Sequence, residues 1–325
     1  MLLLSEDDVR RLISMDDLIE AMHGALIEFS GGRVQQPLRT VLEVGPQHAF
    51  FGVMPAHIPK SGALGTKLVT VFGSNASIGL PSHLATILLL DSTTGELQCV
   101  MDGRFITEAR TAAVSAVSTR LLARDDASTL AILGSGVQAR SHLAAITRVR
   151  PVRDVRVWSP SAARRRAFVD EMQPSTNSTI STASSAQEAV LGADLIVLAT
   201  ASREPVVHNA WIADGAHIAA VGACRPDQRE MDAALVARAR LFVDSRTGAL
   251  AEAGDVVLAI RDRAIDEAHI AGELGDLAGG RIAGRTSPGE VTLFKSLGMA
   301  VEDVAAAHLA YVRATERGLG RGIPL

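Results

Sequence analysis

Between Ser128 and Arg140 the chain runs an apolar stretch, Leu130-Ala131-Ile132-Leu133, into Gly134-Ser135-Gly136. It then opens a helical pattern at Val137-Gln138-Ala139-Arg140. A buried strand, a glycine turn and a helix start in that order form the phosphate-binding corner of a dinucleotide fold. Gly134 allows the tight turn. Gly136 lets the backbone approach a pyrophosphate, and the helix beginning at Val137 and Gln138 offers its N-terminus to the negative charge. Ala139 stands where a third glycine is usual, a substitution the pattern tolerates. Glycine turns of this kind also occur without a nucleotide, so the flanking chain must decide.

From Ser128 onward strand-like runs alternate with helical ones. The strands read Leu130–Leu133, Val155–Trp158, Thr179–Thr182, Leu195–Ala199, His217–Val221 and Leu241–Asp244, with helices such as Ala162–Met172, Ala186–Leu191 and Asp232–Ala239 between them. That alternation predicts a parallel sheet covered on both faces, with the glycine corner after its first strand. Upstream the rhythm differs. Ser14-Met15-Asp16-Asp17 fits a capping box before a helix that Gly31-Gly32 stops. Short strands follow at Pro37–Val44, Ala49–Met54, Ala63–Phe72, Thr86–Asp91 and Leu97–Met101. They are separated by Gly45-Pro46, Ser74-Asn75 and Thr94-Gly95, which predicts an antiparallel or mixed sheet. A helix over Ile106–Ala123 follows. After about Gly280 the alternation breaks: Val291–Phe294 reads as a strand, and Val301–Arg317 as a helix expected to return to the N-terminal domain. The fold class is therefore α/β. A Rossmann-type nucleotide-binding domain is expected at 119–297, and a discontinuous mixed α/β domain at 1–118 and 298–325.

Composition narrows the function classes. Apolar residues are 47% and net charge is −4 with mixed signs, which points to no nucleic acid and no membrane surface as partner. No apolar run reaches membrane-spanning length, and the N-terminus lacks the basic region of a signal peptide. Cys99 and Cys224 are far apart without zinc spacing, so no metal is expected and a cytoplasmic location is favoured. Only Lys60, Lys67 and Lys295 stand among 32 basic residues. In so Arg-rich a chain a retained lysine marks a place where a compact, titratable ammonium is needed, or a chance survival.

The cofactor is read from the second strand's end. In NAD binders an acidic residue there holds the ribose hydroxyl. This chain has Trp158-Ser159-Pro160-Ser161 and then Arg164, while Asp154 lies at the strand's other end. Hydroxyls with an arginine suit a 2′-phosphate, so NADP(H) is expected to be preferred, with NAD(H) as the alternative.

The chain resembles the ornithine cyclodeaminase/mu-crystallin family over nearly its whole length. The matching stretches are Gln36-Pro37-Leu38-Arg39-Thr40, Gly52-Val53-Met54-Pro55-Ala56, Thr66-Lys67-Leu68-Val69-Thr70, Pro81-Ser82-His83 and Met101-Asp102-Gly103. Arg110 to Ala116, Gly134 to Ala139, Val221 to Asp227, Gly272-Glu273-Leu274-Gly275 and Thr292 to Asp303 complete the set. The resemblance implies a nucleotide domain plus an N-terminal dimerisation and substrate domain, in a homodimer. Where cyclodeaminases carry an Asp as acid/base for ammonia loss, this chain has Cys224, a weaker acid (about 8.5 against about 3.9). Cyclodeaminases also place an acidic residue near His48-Ala49-Phe50-Phe51, a stretch that is apolar and aromatic here. Arg225-Pro226-Asp227, with Arg229-Glu230, looks like the ketimine reductase branch that contains mu-crystallin.

That branch implies reduction of a cyclic ketimine carboxylate (Δ1-pyrroline-2-carboxylate or Δ1-piperideine-2-carboxylate) to the L-imino acid, with the hydride delivered by the cofactor. By resemblance, Arg39 holds the substrate carboxylate. Lys67, in the middle of an apolar strand, orients the substrate or donates a proton. Ser82, His83, Arg110 and Thr111 are expected to contact the cofactor. So are Gly134, Ser135, Gly136, Val137 and Gln138 at the corner, Ser159, Ser161 and Arg164 after the second strand, and Thr200, Ala201 and Val221 after later strands. Lys295 and Ser296 would close over it from the C-terminal segment. Phe50, Met54, Cys224, Asp227 and Glu252 are expected around the substrate pocket. Ornithine cyclodeaminase or alanine dehydrogenase activity is the first alternative, and a non-enzymatic protein binding small ligands is the second.

Overall fold

The structure is a computed structural model and describes residues 1–45 and 49–324. Pro46 of the expected turn and His48 of the apolar stretch lie outside the described residues. The chain forms two compact units. One joins Met1–Arg110 to Gly298–Leu325, and the other is Thr111–Leu297. The division falls inside the helix Arg104–Leu122, ahead of the 118/119 boundary expected from sequence.

The first unit is built on a seven-stranded sheet. Its order is Arg321–Gly322, Leu2–Leu4, Leu97–Asp102, His83–Asp91, Ala63–Val71, Ala49–Ile58 and Thr40–Val44. The last five strands pair antiparallel as a meander, and Leu2–Leu4 runs parallel to Leu97–Asp102. Closely spaced strands without room for crossover helices can pair only in this way. The helix Ala300–Arg317 packs on Ala49–Ile58 and Ala63–Val71, and the helix Met15–Ser30 packs on it in turn. Met15–Ser30 starts at the expected capping box, with Ser14 and Asp17 capping each other's backbone N–H groups. Burial alternates along Ala63–Val71 with period two: Ala63, Gly65, Lys67 and Val69 are buried and their neighbours less so. The buried set faces the covering helix.

The second unit contains eight parallel strands in the order Ile270–Glu273, Arg240–Val243, Thr292–Lys295, His217–Ala220, Leu195–Leu198, Thr129–Leu133, Asp154–Trp158 and Thr179–Thr182. Strand order reverses between Thr129–Leu133 and Leu195–Leu198, which is where open α/β sheets bind their ligands. One strand of this sheet escaped the sequence reading, while Val291–Phe294 was expected and is found at Thr292–Lys295. Ile270–Glu273 forms an edge. Thr292–Lys295, beyond the broken alternation, inserts between His217–Ala220 and Arg240–Val243. Among the described residues no helix is long and apolar enough to cross a membrane, and no cluster of His, Cys, Asp and Glu is placed to hold a metal ion.

Candidate active site

In the first unit the meander register assembles one set of side chains. Met54 pairs with Lys67, and Lys67 with Ile87. Counting by twos from Lys67 puts Phe50, Met54 and His83 on the face that bears Lys67. Lys67 is 2% exposed and its Nζ lies 2.6 Å from Asp303 Oδ2. A second ammonium hydrogen points to Thr107 Oγ1 at 3.5 Å. Arg110, also buried, donates from Nε to Asp303 Oδ1 (2.9 Å) and from Nη1 to Glu302 Oε2 (2.5 Å). Glu302 and Asp303 occupy the first turn of Ala300–Arg317, where the helix dipole favours negative charge. The same turn is tied to the preceding segments. Val301 N–H donates to Gln36 Oε1 at 2.6 Å, and Arg39 Nη2 donates to the Gly298 carbonyl at 3.1 Å. Gly298 has φ +78°, and a Cβ there would run into the Arg110 guanidinium, so glycine is required at this turn.

The electrostatics follow from this packing. Burial pulls Lys67 down to about 8, against the raising effect of Asp303, and Arg110 and Arg39 lower it further. Burial would raise Asp303, but Arg110 and Lys67 outweigh it and hold the carboxyl below its usual range. His83 is pushed down to about 4 by burial and by Lys67 and Arg110, so it is neutral near pH 7. Arg39, Lys67 and Arg110 carry three positive charges against the two of Glu302 and Asp303. A net positive, largely dry site of this kind selects an anion.

In the second unit the glycine corner opens a cleft of about 710 Å³. It is lined by Gly134, Ser135, Gly136, Trp158, Ser159, Ser161, Arg164, Thr200, Ala201 and six further residues including Arg140 and Val206. Gly134 has φ +120°, and a Cβ there would strike the Ala199 carbonyl. Gly136 is the N-cap of Val137–Ile146 and offers no side chain to the helix's first N–H groups. These features fit a pyrophosphate. Ser135 and Ser159 share a hydrogen bond of 2.8 Å. Ser161 caps Ala162–Met172 by accepting from the Arg164 N–H, and Arg165 donates to the Ser159 carbonyl. No carboxylate lines this cleft among the described residues.

The other expected site residues are spread over both units. Arg110 was expected on the cofactor, yet its guanidinium is committed to Glu302 and Asp303 in the first unit. Lys295 does not close over a cleft from outside. It is a fully buried strand residue, 3.0 Å from Asp255 Oδ2. Ser296, also buried, donates to Asp244 Oδ2 at 3.3 Å. Asp227 is exposed and only 3.9 Å from the equally exposed Arg203, a pair of little energetic weight. Cys224 is half-buried, its thiol donating to the Val221 carbonyl at 3.3 Å. Glu252 ends the helix Arg246–Glu252. Ser82 is exposed at the start of the strand carrying His83, and Thr111 is buried in the helix Arg104–Leu122. Val137 is exposed at the start of its helix, where the Gln138 carbonyl pairs with His142, and Val221 is buried just past its strand.

Sequence reasoning passed over Asp303, Glu302 and Glu230, although all three stood in quoted motifs. Glu230 is fully buried. Its Oε1 accepts the Thr200 N–H (2.6 Å) and hydroxyl (2.7 Å), and its Oε2 accepts the Gly222 (2.8 Å) and Ala223 (3.2 Å) N–H groups. The available signal was local: two adjacent acids in the otherwise apolar first turn of a helix, and one acid eight residues after Gly222.

Comparison with known proteins agrees with this architecture. The model of the ornithine cyclodeaminase/mu-crystallin family matches residues 1–318. Ketimine reductase mu-crystallin of Mus musculus is 44% identical over 312 residues, covering 95% of this chain and 96% of that protein. The Thermococcus litoralis Delta(1)-pyrroline-2-carboxylate reductase, solved with NADH and L-proline, superposes with TM-score 0.97 at 42% identity, over 99% of this chain and 100% of that one. An archaeal alanine dehydrogenase dimer with bound NAD gives TM-score 0.94 at 31% identity, over 100% of this chain and 99% of that one. With the whole chain matched in sequence and in fold, the protein belongs to the ornithine cyclodeaminase/mu-crystallin family.

Proposed function

We propose that this protein reduces cyclic ketimine carboxylates, Δ1-pyrroline-2-carboxylate or Δ1-piperideine-2-carboxylate, to L-proline or L-pipecolate with a reduced nicotinamide cofactor. The observation that carries the reading is the buried Lys67–Asp303–Arg110 cluster on a sheet face whose other members, Phe50 and Met54, are apolar. Such a face recognises a carboxylate and a ring, and its two carboxylates, Glu302 and Asp303, are already taken by Arg110 and Lys67 rather than open to a distal amine. The similarity to a pyrroline-2-carboxylate reductase and a ketimine reductase supports the same substrate class.

The residues divide the work. Arg39 holds the substrate carboxylate as its bidentate partner, and Arg110, paired with Glu302 and Asp303, fixes the helix start beside Lys67. Lys67, held near 8, is protonated at neutral pH and gives its proton to the imine nitrogen as the carbon becomes saturated. Asp303 and Thr107 each take one ammonium hydrogen and leave the third for the substrate. When bound, the nicotinamide supplies the hydride to the imine carbon. Neutral His83 borders the cluster without adding to its charge.

NADPH is the preferred donor in this reading, because Ser159, Ser161 and Arg164 line the cleft where an NAD-selective carboxylate would stand. The working form is a cytoplasmic homodimer. Leu42, Phe51, Thr70 and Leu84 form one cross-strand row on the sheet face opposite Lys67, and Leu42 and Leu84 are 55% and 38% exposed. An exposed apolar row of that kind suits burial against a second copy.

The deciding experiment follows NADPH and NADH oxidation with both cyclic imines, alongside ammonia release from L-ornithine and reductive amination of pyruvate. Turnover of an imine with no ammonia release supports the reading. Ammonia release from ornithine, or amination of pyruvate, would overturn it. Cofactor binding without any turnover would favour a ligand-binding protein.

A further inference from the structure

Glu230 sits on the connection between the strand His217–Ala220 and the helix Ala233–Arg238. Its two oxygens take four donors, two from Thr200 and one each from Gly222 and Ala223. Four donors saturate a carboxylate and leave no position for a proton. Burial and the neighbouring Asp255 charge push this carboxyl above its ordinary value, against the Lys295 ammonium and the Thr200 hydrogen bonds. The support continues inward. The N–H groups of Glu230 and Met231 donate to Asp255 Oδ1 at 2.7 and 3.3 Å, and Asp255 Oδ2 meets Lys295 at 3.0 Å. At Gly222 a Cβ would collide with the Thr200 carbonyl and the Glu230 carboxylate, so glycine makes room for the clamp.

Thr200 lines the cofactor cleft with Ala199, Ala201 and Ser202. It follows Leu195–Leu198, and Gly222 follows the adjacent strand His217–Ala220. One buried carboxylate therefore ties together the two loops that leave neighbouring strands beside the reversal of strand order. We propose that Glu230 is a positioning residue for the nicotinamide cofactor, holding residues 199–202 and 221–224 in the shape that receives it. It makes no contact with the ligand. It lowers the ordering cost of binding by satisfying the loop N–H groups in advance. The inference rests on the cofactor reading above.

The test is direct titration of NADPH and NADH fluorescence, without turnover, on the full-length protein. Glu230→Gln keeps the shape but turns an NH₂ toward one pair of donors. It should raise Kd at least about tenfold, with the KM for the imine at saturating cofactor little changed. Asp194→Asn is the control. Asp194 Oδ2 accepts the Ser128 and Thr129 N–H groups at the amino end of the sheet, remote from the cleft lining, so its loss should lower stability and leave Kd near wild type. In a double-mutant cycle, Thr200→Val on top of Glu230→Gln should add less than it does alone. Should Glu230→Gln fail to fold, Glu230→Asp carries the test. It keeps the charge but is one methylene too short to reach both loops, and should also weaken binding. Wild-type Kd in the Glu230 variants, or an equal rise in Asp194→Asn, overturns the proposal. A wild-type protein that binds neither cofactor overturns the functional reading itself.

Discussion

Replacing Asp303 by Asn tests the reasoning about the charged cluster most sharply, because the change is nearly isosteric and removes one charge. Asp303 is fully buried, 2.6 Å from Lys67 Nζ and 2.9 Å from Arg110 Nε. At an effective dielectric constant of about 20, a unit charge roughly 3 Å away is worth about 5 kcal/mol. At about 1.4 kcal/mol per pH unit that is an upper bound of three to four units on Lys67. Relaxation and water entry reduce it, so a fall of at least about two units is expected. Burial and the Arg110 and Arg39 charges already pull Lys67 down to about 8, and nothing would then oppose them. The assay is kcat/KM against pH with a cyclic imine and saturating NADPH. Because the protonated ammonium is the donor, the wild-type rate falls as pH rises through about 8. In Asp303→Asn the fall should move at least about two pH units lower, leaving little activity at pH 8. Any ionisation of the substrate contributes equally to both profiles and cancels in the comparison. Stability should also drop by roughly 3 kcal/mol, since two cations lose a buried partner. Adding Lys67→Met should return part of that loss. An unshifted limb in a folded, substrate-binding Asp303→Asn protein refutes the role given to Lys67.

Other outcomes follow from the same geometry. Lys67→Ala should lower kcat by at least about a hundredfold, whereas Arg39→Ala should mainly raise KM; unchanged turnover in Lys67→Ala contradicts its role. Arg164→Ala should weaken NADPH about tenfold and leave NADH nearly unaffected in the same titration. Gly134→Ala should abolish cofactor binding, because it forces a side chain into a backbone with φ +120° and against the Ala199 carbonyl; wild-type affinity would refute that fit. Buried His142 and His217 are lowered to about 4 and about 3, chiefly by burial, from an ordinary value near 6.5. The unfolded chain then binds more protons below pH 6.5. The stability they contribute is complete above about pH 7 and is lost as pH falls from 6.5 through 4 toward 3. His142→Gln should remove roughly 3 kcal/mol of the stability lost between pH 6.5 and 4, read as a flatter plot of Tm against pH; an unchanged slope counts against it.

Much of the fold was legible because it is written locally. The glycine corner, the capping box before Met15 and the period-two alternation around Lys67 each depend on neighbours in sequence. Ala162–Met172 and Thr179–Thr182 lie where they were expected, since Ser161 caps the start of one and turns bound the other. Val291–Phe294 was read as a strand and lies at Thr292–Lys295, whereas Ile270–Glu273 was obscured because a four-residue edge strand is too short to carry a periodicity of its own. The lysine count was informative too: Lys67 and Lys295 are both fully buried against a carboxylate, while Lys60 is an exposed partner of Glu28.

The chain alone thus determined the family and the nucleotide corner, and singled out Arg39, Lys67 and Arg110 as basic residues of interest. Tertiary structure decided their partners. Arg110 is 192 residues from Glu302, and Lys295 finds Asp255 across two chain reversals. No periodicity carries such a pairing. It arises when a helix start closes over a sheet, and burial then obliges each charge to find its opposite. So the structure paired Arg110 with Glu302 and Asp303 and Lys295 with Asp255, and disclosed Asp303 and Glu230 as the carboxylates around which the two polar centres are organised.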